Sequence, residues 1–416
     1  DIADQLQRLP TNQAIDQLTL LPENTAAAAL VEMEAETAHE MALQLPLGHL
    51  RDLLTLAPTE AAADIVGDLE DDRRAEVLKA LPPETCQAVK SLLRYPEDTA
   101  GGIMNDRFIS LHSGLTIGEA LENVRSLPTT ELTDVNYLYV TDQDKKLLGV
   151  LPLRELVFNA PDRRVDDLLQ RDVRYLHVDD DQEHIAREFA QYHYLGLPVL
   201  DSQSRLVGIV PASEALEIAQ EEATEDMQLM VGLSGEEHTL TPWWKSIGRR
   251  LPWLFVNLLT AFAAAAVVSL FESTIAQWTA LAVFLPIIAG QGGNAGMQTL
   301  TVVIRDLALG QLSPGDGRKA LTKESILALV NGLAVGSVVG LAGYLWKNDA
   351  TLGLVAGGAM ILNQFAAAVS GVLIPLGLRL AKVDPALASS IFLTTITDVA
   401  GFFFFLGLAY LALNVL

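Results

Sequence analysis

Cysteine is almost absent from this sequence, and Cys86 is the only one among 416 residues. A single cysteine excludes an intrachain disulfide and a cysteine-based metal cluster, and it favours a reducing compartment such as the cytosol. Basic residues are also scarce, with 28 Lys and Arg against 52 Asp and Glu and a net charge of −24. This acidic excess disfavours nucleic acid as a partner and favours small cations.

Patterns typical of an enzyme are missing as well. The sequence has no nucleophile–base arrangement, phosphate-binding loop or zinc-ligand spacing, and its seven histidines are scattered. We therefore expect a protein that is not an enzyme. No secretory signal is visible, and the chain begins with Asp1 instead of Met, so we expect a trimmed chain whose native start is unknown.

Charge and hydrophobicity are segregated along the chain. After Thr239 there are seven Asp or Glu and ten Lys or Arg, so this part carries +3 and residues 1–238 carry −27. The same part contains five apolar stretches, and a helix of roughly 20 residues is enough to cross a hydrocarbon core. The stretches are 251–271, 277–304, 324–346, 352–378 and 386–414. We predict an all-α transmembrane domain of five helices over 246–416.

The basic residues of this domain indicate its orientation. Nine of the ten lie before the first predicted span, between the second and third, or between the fourth and fifth, whereas Lys347 alone lies on the other side. Short loops rich in Lys and Arg stay cytoplasmic. We expect a multi-pass protein of the cytoplasmic (inner) membrane whose acidic region is cytosolic and whose C-terminus, after five spans, is outside.

Prolines recur at intervals of twelve or twenty-four residues near the start of the chain. The five positions are Pro10, Pro22, Pro46, Pro58 and Pro82. Each precedes a helix-favouring run, and proline is tolerated at the start of a helix. The period predicts stacked short helices in an all-α superhelical domain over 1–100, which is suited to packing or binding.

Two copies of a strand–turn–strand pattern follow within 101–212, each with a helical stretch before it. The strands are 136–142, 147–151, 196–201 and 206–210, and the helices are 117–127 and 182–192. This resembles a tandem pair of cystathionine-β-synthase-type (CBS) modules, an α/β regulatory fold that binds adenine nucleotides or other ligands and pairs as dimers. The module ends lack a ribose-binding Thr-x-x-Asp, so the residues themselves give no support for ATP as a ligand.

An acidic stretch then joins the CBS pair to the membrane domain. The connecting segment is 213–245, and its first 18 residues read as a helix rich in Glu. A solvated helix face is the simplest interpretation of such a charge run. Its position between a sensor and a membrane domain favours a second interpretation, in which the carboxylates take part in regulation.

The last predicted span contains one charged residue, Asp398, close behind Thr394 and Thr395. A charge at mid-span is expensive, by at least a few kcal/mol, so it normally faces a bundle interior or an aqueous path. A protonated Asp398 bonded to a neighbouring helix is the alternative. Because Mg²⁺ keeps several waters and prefers oxygen ligands, we predict that Asp398 holds the ion in a pore on a homodimer axis, lined by these threonines.

The second predicted span contains an unusual run over 286–298, with four glycines and several amides that include Asn294 next to Gly293. Such a run is poor in a helix that faces lipid. It predicts either irregular backbone that lines a cavity, with Gly293 and Asn294 at the pore, or tight helix packing through small residues. On either interpretation the segment belongs inside the bundle.

Four motifs together resemble the MgtE family of magnesium channels, over essentially the whole chain. They are 95–104, 221–226, 292–298 and 394–401. The resemblance implies a homodimer with a helical N-domain, a CBS pair, a connecting plug helix and five spans. It also implies that Asp398 holds hydrated Mg²⁺, and that Mg²⁺ binding to cytosolic carboxylates closes the pore. The implied regulatory residues are Glu214, Glu217, Glu222, Glu225, Asp226 and Asp384.

The chain departs from the family pattern at a few positions. Ser213-Glu214 replaces a common Asp-Asp pair, Met297 replaces a frequent Asn, and Ala367-Ala368 stands where the family often has Asn. These departures concern the regulatory sites and the metal selectivity, and they leave Asp398 untouched.

Three other functions are compatible with parts of the pattern. The first is a transporter of the same fold that carries Mn²⁺ or Co²⁺, since oxygen ligands accept these ions too. The second is a secondary transporter coupled to H⁺ or Na⁺, against which we find no second buried ionisable residue in the predicted spans. The third is a membrane anchor for a soluble sensor, which would not require Asp398 or the glycine run.

Overall fold

The structure is a computed structural model that describes residues 2–127, 136–235, 237–239 and 241–415. Its internal contacts divide the chain into two compact units, Asp1–Ala219 and Gln220–Leu416. The division falls inside one long helix that follows the CBS pair.

The first unit begins with eight short helices, as the proline period predicts. They are α1 (Ile2–Gln7), α2 (Thr11–Leu20), α3 (Glu23–Val31), α4 (Ala35–Gln44), α5 (Leu47–Leu56), α6 (Thr59–Gly67), α7 (Asp71–Ala80) and α8 (Pro83–Leu92). From α2 onward a helix begins every twelve residues. The period holds even where Glu34 or Glu70 replaces proline, because both adopt the extended backbone, with φ of −53° and −58°, that proline has at the other starts.

These helices stack in two alternating rows. Odd-numbered helices pack in the order α1, α3, α5 and α7, and even-numbered helices in the order α2, α4, α6 and α8. Fully buried leucines such as Leu18, Leu50 and Leu54 fill the space between the rows. Since no single helix of about ten residues is stable alone in water, this shared core is what holds the helices in place. The predicted helical domain is confirmed.

Both predicted CBS copies are present, each as a three-stranded sheet. In chain order, their elements are α9 (Ala100–Ile103), β1 (Ser110–His112), α10 (Ile117–Ser126), β2 (Tyr137–Thr141), β3 (Leu147–Pro152), α11 (Arg154–Phe158), β4 (Leu176–His177), α12 (Gln182–Tyr192), β5 (Gly196–Leu200) and β6 (Leu206–Pro211). The first strand of each sheet runs parallel to the second, and the second antiparallel to the third. The strands β1 and β4 were not predicted, because two or three residues are too few to form a recognisable strand pattern in the sequence.

The second unit contains five long helices at the positions of the five predicted spans. The elements are α13 (Ala212–Met230), α14 (Trp243–Leu270), α15 (Glu272–Gln277), α16 (Leu281–Ala308), α17 (Gly317–Lys347), α18 (Ala350–Leu380) and α19 (Ser389–Val415). Four of the long helices are both long enough and apolar enough to cross a membrane, namely α14, α17, α18 and α19. Helix α16 has 28 residues, but its amides and glycines reduce its apolar character.

The predicted irregular backbone at 286–298 is wrong, because α16 is one continuous helix through this run. The glycines serve close packing instead. Gly296 lies against the side chain of Leu393, and its carbonyl oxygen would be 3.0 Å from a Cβ added to Gly371. Small residues let the backbones of α16, α18 and α19 approach closely, which is the usual means of helix association in lipid.

Helices α17 and α18 pack against each other most closely, because both have glycines at their contact. A Cβ on Gly353 would lie 2.6 Å from the carbonyl oxygen of Gly340, and one on Gly357 would lie 2.8 Å from that of Gly336. No side chain larger than hydrogen fits at these positions without moving a backbone. The pair is therefore a rigid support for the other helices of the unit.

We predict that Gly353→Ala lowers the thermal unfolding temperature of the purified protein in detergent. The added methyl group overlaps the α17 backbone, and overpacking of this kind costs about 1–3 kcal/mol. Gly377→Ala is the control, since it lies on the same helix with no atom within 4 Å. Equal unfolding temperatures for the two variants would show that the α17–α18 contact is not tight.

Candidate ion path and its cytosolic end

Asp398 lies in the middle of α19 and is the only charged residue of that helix. Its side chain is partly buried. Within the described part of the chain it makes no hydrogen bond or ion pair, which sets it apart from the paired carboxylates elsewhere in the unit. A carboxylate at this depth without a counter-charge requires either water, a cation or a proton.

The threonines before Asp398 differ in their environment. Thr394 lies one turn before Asp398 on the same side of the helix, and it is exposed in the single chain. Thr395 instead donates its hydroxyl to the Ile391 carbonyl oxygen at 2.7 Å, and the buried Thr397 donates to that of Thr394 at 3.0 Å. Of the two predicted lining threonines, Thr394 is therefore the one whose hydroxyl makes no hydrogen bond among the described residues.

Helix α16 presents two different faces. Gly292 and Gly296 are buried against neighbouring helices, whereas Asn294 and Gln298 are exposed. Gly293 borders open space, since a Cβ added there would have no neighbouring atom within 4 Å. Exposed amides are poorly matched to lipid tails. This polar face therefore requires water or another protein surface beside it.

The polar face of α16 and Asp398 lie at the same depth. Gly296 contacts Leu393, and the side chain of Asn363 fills the space between Gly292 and Gly401. Asp398 stands between Leu393 and Gly401 along α19. It is therefore level with the stretch of α16 that contains Gly293 and Asn294, although the structure records no direct contact between them.

The end of α13 is bonded directly to the beginning of α19. The amide of Ala388 donates to the Leu229 carbonyl oxygen at 2.9 Å, and the Ser390 hydroxyl donates to that of Met230 at 2.6 Å. The side chains of Leu229 and Met230 pack into a cluster that includes Leu393. The last carbonyls of the acidic helix, which lack partners within their own helix, are thus satisfied by the helix that carries Asp398.

The chain between α13 and α14 is closed by a second set of bonds. Gln228 exchanges two side-chain hydrogen bonds of 2.9 Å with the backbone of Glu237. The Glu237 carboxylate accepts a hydrogen bond of 2.7 Å from Nε of Arg250, and this contact holds the pKa of Glu237 below its ordinary value. The linker is therefore tied to both helices that it connects.

The predicted regulatory carboxylates lie on α13 and in the loop before α19. Glu214, Glu217, Glu222, Glu225 and Asp226 are all on α13. Asp384 is exposed, and its carboxylate accepts the Ala386 amide at 2.7 Å. In the described residues of this single chain, no three Asp, Glu, His or Cys side chains come together in an arrangement that could hold a metal ion. A shared metal site for this set stays a prediction.

Glu324 is a buried ionisable residue that the sequence analysis missed. It lies near the start of α17 with a relative exposure of 5%, accepts a hydrogen bond of 3.0 Å from Thr299 of α16, and pairs with Lys323 at 2.9 Å. The expectation that the predicted spans lack a second buried ionisable residue is therefore wrong. Glu324 is buried because the first turns of α17 pack against α16. In the sequence, only the Lys323-Glu324 doublet at the boundary of the span could have indicated this residue.

Family models cover most of the chain. The match to "MgtE intracellular N domain" covers residues 1–98, the match to "CBS domain" covers 100–161 and 165–221, and the match to "Divalent cation transporter" covers 285–408. The ranges coincide with the stacked helices, the two sheets and the bundle that carries Asp398.

Individual proteins show the same relationship. The chain is 34% identical to the magnesium transporter MgtE of Thermus thermophilus over 95% of this chain and 89% of that protein. It is 33% identical to the magnesium transporter MgtE of Enterococcus faecalis over 78% of this chain and 72% of that one. Among solved structures, the cytosolic domain of the Mg²⁺ channel MgtE in complex with ATP matches with a TM-score of 0.50 and 33% identity, covering 52% of this chain and 88% of that domain.

These relationships agree with the architecture of stacked helices, CBS pair and apolar helical bundle. They concern transporters and not enzymes, and they extend along the chain from the N-terminal helices to α19. The chain belongs to the MgtE family of divalent cation transporters.

Proposed function

We propose that this protein is a Mg²⁺ channel of the cytoplasmic membrane and that Asp398 holds the ion in its pore. The observation that carries the proposal is the partly buried carboxylate of Asp398, which has no counter-charge in the described chain and stands level with the exposed amide face of α16. The relatives named as magnesium transporters support the choice of ion.

A homodimer would supply the two things that the described chain does not provide, which are a second carboxylate opposite Asp398 and a cover for the polar face of α16. Two copies related by a twofold axis would place a second Asp398 opposite the first and cover the polar face of α16 with protein and water. Two carboxylates attract a dication more strongly than a monovalent ion, because the Coulomb energy scales with charge. The dimer axis is therefore the proposed ion path, lined by Thr394, Gly293 and Asn294, with Thr395 beside it.

The ion passes with most of its water shell in place. Mg²⁺ loses water reluctantly and prefers rigid octahedral coordination by oxygen, so carboxylates on the axis bind it best through its waters. The hydroxyl of Thr394 and the amide oxygen of Asn294 offer acceptors to the same waters. Binding of this kind is strong enough to attract the ion and weak enough to release it, as conduction requires.

We further propose that cytosolic Mg²⁺ closes the channel through the acidic helix α13. At low Mg²⁺ the carboxylates of Glu214, Glu217, Glu222, Glu225, Asp226 and Asp384 repel one another and disfavour compact packing. Carboxylate oxygens are the ligands that Mg²⁺ prefers, so rising Mg²⁺ stabilises the closed arrangement by binding it better. The hydrogen bonds from α19 to Leu229 and Met230 offer a direct route from α13 to the helix of Asp398.

Ion coupling to H⁺ or Na⁺ is less well supported by the described geometry. Glu324 is buried, but Lys323 neutralises it and it lies at the first turns of α17, far along the helix from mid-span.

The positive residues that flank the spans support a cytosolic N-terminal region, and five spans then place the C-terminus outside.

A nucleotide is a proposed additional ligand of the CBS pair. The support is the relative whose cytosolic domain was crystallised in complex with ATP. We expect saturable binding of ATP to the full-length purified protein, measured by calorimetry in detergent. Absence of heat at millimolar ATP would contradict this ligand and would leave the pore proposal unaffected.

We predict that Asp398→Ala abolishes Mg²⁺ uptake into liposomes that contain the purified protein, because the only charge of α19 is lost. The protein should still elute at the size of the dimer from a gel-filtration column. Uptake is followed with an indicator dye inside the liposomes, with Mn²⁺, Co²⁺ and Ca²⁺ compared in parallel.

The matched control is Glu272→Gln, which removes one exposed carboxylate from the short helix α15 and should leave uptake unchanged. Normal uptake by a correctly folded Asp398→Ala variant would contradict the pore assignment. Equal uptake of Mg²⁺ and the other ions by the unaltered protein would instead contradict the assigned selectivity.

We predict that neutralising five carboxylates of α13 together weakens Mg²⁺-dependent closure. The variant replaces Glu214, Glu217, Glu222, Glu225 and Asp226 by the corresponding amides. Because the repulsion that Mg²⁺ relieves is then gone, Mg²⁺ should no longer protect the region before α14 from protease. Protection is measured as the Mg²⁺ concentration that halves the cleavage rate.

The control removes the same number of charges from the stacked helices of the first unit. Its five exposed positions are Glu23, Asp68, Glu70, Asp72 and Glu84. This variant should retain Mg²⁺ protection. Identical protection in both variants would show that the carboxylates of α13 are simply solvated.

A further inference from the structure

Asn363 is a fully buried amide in the middle of α18, with a relative exposure of 0%. Burial of an amide costs free energy unless its hydrogen-bonding groups find partners. Its Nδ2 donates to the Ile288 carbonyl oxygen of α16 at 2.9 Å. Its Oδ1 is buried and has no hydrogen-bond partner among the described residues. Because the buried Oδ1 costs free energy, an apolar side chain would be expected here if the position only filled space. We therefore infer a further role for the amide.

Two glycines on two different helices make room for this amide. A Cβ on Gly292 of α16 would overlap the Asn363 nitrogen, and a Cβ on Gly401 of α19 would lie 2.7 Å from it. The Asn363 side chain therefore fills the space that both glycines leave open. It is a wedge between the helix with the polar face and the helix with Asp398.

The Asn363 side chain lies close to the residues of the proposed ion path. Gly401 follows Asp398 by three residues, which is less than one helical turn and corresponds to a rise of about 4.5 Å. Gly292 is adjacent to Gly293 and two residues before Asn294. The Asn363 amide thus contacts α19 beside the carboxylate and α16 beside the polar face, and it is bonded to α16 through Ile288.

We propose that Asn363 is a positioning residue that sets how far the Asp398 carboxylate stands from the ion, and thereby the discrimination between Mg²⁺ and larger dications. This inference rests on the proposed function. Mg²⁺ holds its water ligands in a near-ideal octahedron, whereas the coordination shell of Ca²⁺ is larger and more flexible, so the position of the carboxylates decides which hydrated ion they fit. A carboxylate held by a fixed wedge favours the ion with strict geometry, and a carboxylate free to shift favours neither.

The test measures the ratio of Mg²⁺ to Ca²⁺ uptake in liposomes for Asn363→Leu, which keeps the bulk of the side chain and removes its hydrogen bond to Ile288. We expect Mg²⁺ uptake to persist and the ratio to fall about fivefold, which corresponds to a loss of about 1 kcal/mol of preference for Mg²⁺. Gln364→Leu is the matched control, because it removes the neighbouring buried amide, which is not among the nearest neighbours of either glycine. Its ratio should be unchanged.

A second variant keeps the inference testable if Asn363→Leu does not fold. Asn363→Ala combined with Gly401→Ala replaces the lost amide with a methyl group from the opposite helix, so packing is largely retained while the polar wedge is absent. This pair should fold and show the same reduced ratio. An unaltered ratio in a folded variant of either kind would overturn the inference and would mean that Asn363 only fills space.

The two proposals fail in different ways. If Asp398→Ala transports Mg²⁺ normally, the pore assignment is wrong and the role of Asn363 falls with it. If Asp398→Ala is inactive while the folded Asn363 variants keep the original ratio, only the inference about Asn363 is wrong.

Discussion

A carboxylate in the middle of an apolar helix needs a partner, and the described residues of this chain do not supply one for Asp398. Asp398 is level with glycines and amides of α16, yet no cation of the described chain pairs with it. The cost of leaving such a group alone in hydrocarbon is several kcal/mol at least. In the proposed dimer, a hydrated dication shared with a second Asp398 would meet this need, and the polar face of α16 would line the same water-filled space.

Close packing by small residues keeps the arrangement in place. Glycines on α17 and α18 bring these two backbones together, and Gly292, Gly296 and Gly401 admit side chains from neighbouring helices. In lipid the association of helices relies on such contacts, since lipid tails are as apolar as leucine. The bundle is therefore closely packed around Asp398, and the beginning of α19 is bonded to α13, the helix that carries most of the proposed regulatory carboxylates.

Much of this architecture follows from the sequence, because its signals are repeated and physically strong. The twelve-residue proline period indicates the stacked helices, and short apolar runs on either side of a polar turn indicate β2, β3, β5 and β6. Two helix starts, after Glu34 and Glu70, could not be predicted from the proline period, since glutamate has no special preference for the extended backbone that precedes a helix. The strands β1 and β4 are too short to leave a pattern.

The site was predicted less completely than the fold. Asp398 stands out in sequence because it is the only charge in a long apolar run, whereas Asn363 and Glu324 become visible only when helices are packed together. Their importance lies in contacts with residues 75 and 25 positions away, which no local pattern encodes. The glycine run misled for a related reason, since glycine loosens an isolated helix but permits close contact in a bundle.

In the proposed channel, Asp398 side chains from two copies meet around one dication. Crystals of the full-length protein grown with Mn²⁺, which substitutes for Mg²⁺ at oxygen sites and scatters anomalously, test it most directly. We expect one anomalous peak on the dimer axis, between the two Asp398 carboxylates and level with Asn294. Asp398 side chains that face lipid, or an axis with no peak at their level, would contradict it.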